Sequence, residues 1–135
     1  VTVVHPAGFS LDDEVIATAR AKAKETGGSF SVSNDQAEAM RDADIVVAKS
    51  WASREFFGNW EKEGEYRKKF TDWTVTEEKM AHTNNAVFMH CLPVRRNVVV
   101  SDSVLDSPAS LIIQEAENRM WVQMAIIDYI FTITS

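Results

Sequence analysis

Short clusters of β-branched apolar residues alternate with amphipathic stretches along the whole chain. Val1-Thr2-Val3-Val4 has the pattern of a strand, which Pro6-Ala7-Gly8 ends. Leu11, Val15, Ile16, Ala19 and Ala23 then recur at helical spacing behind Ser10 and Asp13, a capping-box pair. Asp12, Asp13 and Glu14 lie early in that stretch and Arg20, Lys22 and Lys24 late, as a helix dipole prefers. Gly27-Gly28 stops it. Ser29 to Ser33 alternates as a strand, and Asn34 or Asp35 caps a short helix through Met40. Asp44 to Ala48, DIVVA, is an apolar run of the parallel-sheet kind.

The second half repeats the alternation less regularly. Residues 52 to 75 mix aromatic and charged side chains, and a helix near Glu63 to Phe70 is the one element predicted there. Thr76 heads a capped turn through Met80, and Ala86 to Met89 is a strand that runs into His90-Cys91-Leu92-Pro93. Ser101 to Ser107 predicts one more helical turn, Leu111-Ile112-Ile113 a last strand, and Glu115 to about Phe131 a long closing helix. Met120, Trp121, Met124, Ile127, Ile130 and Phe131 line that helix too broadly for a free surface, so it is expected to pack against more than this domain. Strands alternating with helices predict one α/β domain with a mostly parallel sheet, without internal repeats or a low-complexity linker.

In such sheets ligands collect beyond the carboxyl ends of the strands, where both Lys49-Ser50-Trp51 and His90-Cys91-Leu92-Pro93 stand. Cys91 is the only cysteine, so no internal disulfide forms and a reducing, cytoplasmic compartment is the default expectation. A free cysteine is commonly a small buried hydrophobe; its alternatives are nucleophile, metal ligand or substrate contact. With His5, His82 and His90 scattered along the chain, the spacing for a metal is poor. Adjacent strand residues point to opposite faces, which weakens a Cys91–His90 nucleophilic pair and leaves substrate contact as the functional reading. Pro93 directly after a strand is compatible with a cis turn exposing the Leu92 carbonyl, although trans is the commoner state.

Arg95, Arg96 and Arg119 are candidate ligands for phosphate, carboxylate or an oxyanion, against the ordinary role of solvated surface charge. Arg119, inside EAENR, is expected in the first turn of its helix, where the macrodipole disfavours a cation and a partner anion would relieve it. Lys49 suits a substrate carboxylate or snorkels as an ordinary surface lysine. Trp51, Phe56, Phe57 and Trp60 pack a folded loop or wall an acyl group. The net charge of -6 argues against broad attraction to nucleic acid or anionic membranes. No apolar run is long enough for a membrane helix, and neither G-x-G-x-x-G nor a Walker A lysine is present, which weighs against a dehydrogenase or nucleotide-binding reading. The abrupt strand at Val1 is the expected mark of a fragment.

HCLP at 90 to 93, together with SPASLIIQEAENRMWVQMAII at 107 to 127, closely resembles the second half of transcarbamylases of the ornithine type. AKSW at 48 to 51, FFGNW at 56 to 60, KMAHTNN at 79 to 85 and LPVRRN at 92 to 97 resemble the branch acting on N-acetylornithine or N-succinylornithine. The resemblance implies carbamoyl transfer from carbamoyl phosphate to the side-chain amine of an N-acylated ornithine, in arginine biosynthesis, by a homotrimer of two-domain chains. It implies that residues 1–135 form a three-layer Rossmann-like domain, the amino-acid-binding half, with 113–135 as a closing helix packed on the first domain. By position it implies that Cys91 and the Leu92 carbonyl meet the reacting groups, with Leu92-Pro93 cis, that Arg119 contacts the carbamoyl oxygen, and that Lys49 helps hold the acylornithine. Ser50, Trp51, His90, Pro93 and Arg95 complete the implied substrate contacts, with no metal, cofactor, nucleotide or covalent cysteine step. The acyl group stays open, because Val99 stands where acetylornithine enzymes carry a lysine while FFGNW favours the acetyl side. The 135 residues lack the Ser-Thr-Arg-Thr-Arg-like phosphate motif, so they are expected to be inactive alone. A non-catalytic α/β module for amino-acid binding or assembly is the alternative.

Overall fold

The computed structural model describes residues 1–133. Strand β1 (Thr2–Val4) is followed by helix α1 (Asp13–Glu25), strand β2 (Ser31–Ser33), helix α2 (Gln36–Met40) and strand β3 (Ile45–Val47). Then come α3 (Trp60–Arg67), a 3-10 helix (Lys68–Trp73), α4 (Glu77–Met80), β4 (Val87–Met89), α5 (Asp102–Leu105) and α6 (Ile112–Ile133). The α/β alternation is therefore as expected, and every strand pair is parallel. The sheet, however, is two parallel pairs, β1 with β2 and β3 with β4, rather than one continuous layer.

Local chemistry accounts for most boundaries. Asp35 caps α2 by accepting from the Glu38 amide at 2.9 Å, Asn59 caps α3, Thr76 caps α4 and Ser101 caps α5. Gly27 (φ 73°) lets α1 close in a Schellman motif, in which the Gly28 amide donates to Ala23 O at 2.8 Å and the Gly27 amide to Lys24 O at 3.3 Å. The capping box expected from Ser10 and Asp13 does not form. Asp12 is the N-cap, makes no side-chain cap, and gives its carboxylate to Arg54.

Two clusters hold the chain together. Phe88 on β4, fully buried, sits among Met40, Ala48, Val75, Val99, Val100, Val104, Leu105 and Ile112. A second, aromatic cluster ties the loop after β1 to the loop after β3. Phe9 meets Trp51 edge-on at 4.9 Å between centroids, stacks on Tyr66 at 5.4 Å and meets Phe70 at 5.1 Å. Trp51 and Phe56 thus pack the loop, whereas Phe57 and Trp60 touch each other and stay exposed. Gly8, at φ 85°, is required where the chain turns against Tyr66, because a Cβ there would come within 2.8 Å of its hydroxyl.

The last strand differs from expectation. Only Ser110 forms a bridge, parallel to Phe88, with the Phe88 amide donating to Ala109 O and the Leu111 amide to Phe88 O, each at 2.8 Å. Helix α6 takes over at Ile112, so the apolar run 111–113 is spent on a turn into the helix. The closing helix predicted over 113–135 is α6, one residue earlier at its start; Thr134 and Ser135 lie outside the described residues. Met120, Trp121, Met124, Ile127, Ile130 and Phe131 are all exposed along it, the breadth that the sequence pattern marks as unsuited to a free surface. The expected apolar face of α1 is only partly covered: Ile16, Ala19 and Ala23 are half-buried, Leu11 and Val15 are exposed, and no residue of that helix is fully buried.

Candidate functional site

Parallel pairing of β3 and β4 sets the site. Val47 lies in register with Met89, and the Ala48 amide donates to Met89 O at 3.1 Å. Both chains therefore leave the sheet side by side, which brings Lys49 and the 90–93 segment together. Lys49 Nζ donates to Cys91 Sγ at 3.0 Å. Cys91 is free and exposed, which overturns its reading as a small buried hydrophobe. The Leu92–Pro93 peptide is cis, and Leu92 adopts φ 48°.

His90 faces the other way, as alternation requires, and is 2% exposed. Its Nδ1 accepts the Leu92 amide at 3.0 Å, so in the neutral ring the proton sits on Nε2, a buried atom with no hydrogen-bond partner among the described residues. Burial, and after it the charge of Lys49, pushes the imidazole below its usual range, while Glu115 on α6 pulls it back. Glu115 Oε2 is buried and unpartnered as well.

The depressed imidazole makes stability depend on pH in a definite direction. Below about pH 6.5 the unfolded chain binds the proton first, so the His90 contribution is lost as pH falls through that value and is constant above it. The melting temperature is expected to drop between about pH 7.5 and 5.5, and to drop less in His90→Asn, whose amide oxygen can still accept from Leu92. Equal drops in the two proteins would remove His90 as the cause.

Beside the strand ends a hollow of about 560 Å³ is lined by Ser50, Trp51, Trp60, Glu63, Arg67 and Arg95, among others. Glu63, only 3% exposed, receives Arg67 through both guanidinium arms, Nε to Oε1 at 3.0 Å and Nη2 to Oε2. The same guanidinium lies 5.7 Å from the Trp51 ring centroid. Burial and then Arg67 lower the Arg95 pKa, and Glu63 opposes them. Two guanidinium groups against one carboxylate leave the hollow with a surplus positive charge, suited to a carboxylate ligand. Glu63 and Arg67 escaped the sequence reading; their i,i+4 spacing on a helix was the available signal.

The three arginines part company. Arg95 lines the hollow. Arg96 is committed internally, to Asp106 at 2.7 and 2.8 Å and to Asp102 at 2.6 Å, which raises its pKa and lowers both carboxyls. Its candidacy as an anion ligand is thereby explained away. Arg119 is exposed, has no hydrogen bond or ion pair among the described residues, and is not brought against Cys91 by any contact within the chain. It also stands about two turns into α6 rather than in the first, so the dipole argument for a bound anion fails. Among the described residues no group of three or more His, Cys, Asp or Glu could hold a metal, and no helix is long and apolar enough to cross a membrane.

The family model for the Asp/Orn binding domain of aspartate/ornithine carbamoyltransferase matches residues 1–130. The chain belongs to the aspartate/ornithine carbamoyltransferase family. It is 49% identical over 127 residues to the N-acetylornithine carbamoyltransferase of Xanthomonas campestris pv. campestris, a match covering 93% of this chain and 38% of that protein. It is 41% identical over 117 residues to the N-succinylornithine carbamoyltransferase of Bacteroides thetaiotaomicron, covering 87% and 32%. The crystal structure of acetylornithine transcarbamylase complexed with acetylcitrulline superimposes with a TM-score of 0.86 at 48% identity, over 93% of this chain and 38% of that one. A mutant of N-acetyl-L-ornithine transcarbamylase complexed with carbamyl phosphate and N-succinyl-L-norvaline gives the same TM-score. The chain thus spans about 38% of the length of those acetylornithine relatives.

Proposed function

We propose that the full-length carbamoyltransferase moves the carbamoyl group from carbamoyl phosphate to the side-chain amine of an N-acylated ornithine. The observation that carries this is the Lys49–Cys91 contact beyond the paired ends of β3 and β4, in a family member whose relatives include N-acetylornithine and N-succinylornithine carbamoyltransferases. In the reaction the neutral amine attacks the carbonyl carbon, a C–N bond forms, the C–O bond to phosphate breaks, and the phosphate leaves with the amine's proton. Cys91 and the Leu92 carbonyl orient the amine, Arg119 supplies positive charge where the oxyanion develops, and Lys49 with Arg95 binds the carboxylate end of the amino acid. Ser50 and Trp51 shape that end, while His90 and Pro93 hold the turn. A homotrimer with a first domain supplying the phosphate site is part of the same proposal, and α6, with its uncovered apolar face, is the element that would reach that domain.

The acyl group is drawn both ways. Overall identity favours acetyl, at 49% against 41%. Val99, however, is a core residue 4% exposed, so that position offers no cation to an acetylornithine site.

With carbamoyl phosphate, the full-length protein is expected to form ureido product from N-acetylornithine or N-succinylornithine at least about a hundredfold faster, in kcat/KM, than from free ornithine. The isolated 135-residue chain is expected to form none. Preference for free ornithine would overturn the acyl assignment, and turnover by the isolated chain would overturn the division of labour between domains.

A further inference from the structure

Two orphaned polar atoms of complementary kind lie along the seam between β4 and α6. His90 Nε2, the donor of the neutral ring, and Glu115 Oε2, an acceptor, are both buried, and neither has a hydrogen-bond partner among the described residues. Left apart, each destabilises the fold; paired with each other, both are satisfied.

The backbone brings them together. Phe88 pairs with Ser110 in a parallel bridge, so from there β4 and the segment entering α6 run in the same direction. Phe88 and Ile112 share one core cluster. His90, two residues beyond Phe88, returns to the Phe88 face of the strand. Glu115, three residues beyond Ile112, returns to the Ile112 face of the helix. One step further along the seam, the carboxylate therefore stands within electrostatic reach of the imidazole, on which Lys49, beyond β3, is the other acting charge. Arg119 follows Glu115 by four residues, on the same face of α6. A link at Glu115 thus fixes the rotation of the helix that presents Arg119.

We propose that His90 and Glu115 are a positioning pair: His90 Nε2–H donates to the Glu115 carboxylate, directly or through one buried water, and locks the turn carrying Cys91 and Leu92 to the helix carrying Arg119. One imidazole then holds both elements, Nδ1 taking the Leu92 amide at 3.0 Å and Nε2 taking α6. The inference rests on the transfer reaction proposed above and deepens it. The groups assigned to the amine come from the turn, the guanidinium assigned to the oxyanion comes from the helix, and neither element alone sets their spacing.

The full-length protein is assayed for ureido product from carbamoyl phosphate and N-acetylornithine or N-succinylornithine. Glu115→Ala is expected to lower kcat by about tenfold to a hundredfold with KM for the acylornithine within about threefold, the pattern of misplaced groups rather than lost binding. Glu115→Gln keeps an acceptor oxygen and is expected to stay within about threefold of the unsubstituted rate. His90→Asn still accepts from Leu92 but is too short to reach α6, so it is expected to lose a factor similar to that of Glu115→Ala. The double variant should be no slower than the slower single one. Independently of turnover, a slowly exchanging His90 Nε2 proton is expected by NMR in the unsubstituted and Glu115→Gln proteins and is lost in Glu115→Ala. Unchanged kcat in Glu115→Ala, Glu115→Gln as slow as Glu115→Ala, or losses that multiply in the double variant would each overturn the pair. If Glu115→Ala does not fold, His90→Asn against Glu115→Gln decides the same question. An inactive unsubstituted protein would overturn the transfer reading and with it the positioning role, while the Nε2 proton would still report whether the link exists.

Discussion

Replacing Arg119 by Met in the full-length protein is expected, under the proposed reaction, to lower kcat for carbamoyl transfer by about a hundredfold to a thousandfold, the usual effect of removing one donor from a developing oxyanion. KM for the acylornithine is expected to change far less, because the carbamoyl oxygen gains its charge only on the way to the tetrahedral intermediate. The structure gives the argument two supports. The Arg119 guanidinium has no ion pair or hydrogen bond among the described residues, so Met removes no interaction that holds the fold. It also projects from α6, the helix whose uncovered apolar face marks it for contact outside these residues. Arg119→Lys, a point charge in place of a fork, is expected to recover only part of the rate. A kcat within about tenfold of the unsubstituted enzyme, with helical content unchanged, would remove Arg119 from the chemistry.

How far the sequence carried the reading depends on which interactions fix each feature. Capping and periodicity are local, and so Asp35, Thr76 and Ser101 stand where the chain predicts helix starts, and DIVVA is a parallel strand. The pairing of Lys49 with Cys91 was legible at one remove, since both follow apolar strands that a parallel sheet sets side by side. What failed was decided by longer-range competition. Leu111-Ile112-Ile113 has a strand's composition, but Phe88 uses only the backbone of 109–111, and Ile112 turns into the core as the first residue of α6. That shift moves Arg119 away from the helix start. Arg96 looked like Arg95 until Asp102 and Asp106, presented by the α5 turn, claimed it. Glu63 lies in a polar segment, and its burial is visible only once Arg67 and Trp51 close over it.

Among the described residues Phe88 is the largest fully buried side chain, and it lies in the main core cluster. Phe88→Ala is expected to destabilise the chain by about 3–5 kcal/mol, since it deletes a fully buried ring from the centre of the core and leaves a cavity. A small domain holds only about 5–15 kcal/mol in total, so much of the variant should be unfolded at modest urea. The effect reaches the site by a short route. Phe88 bonds through its backbone to Ala109 and Leu111, which lead into α6, and lies two residues before His90 on the segment that delivers Cys91. Phe88→Leu, keeping most of the volume, is expected to lose about 1.5 kcal/mol or less and to retain the Lys49–Cys91 geometry. Equilibrium urea unfolding checks both. A Phe88→Ala midpoint equal to that of Phe88→Leu would mean that the pocket around the ring collapses freely, and that the core is looser than its burial implies.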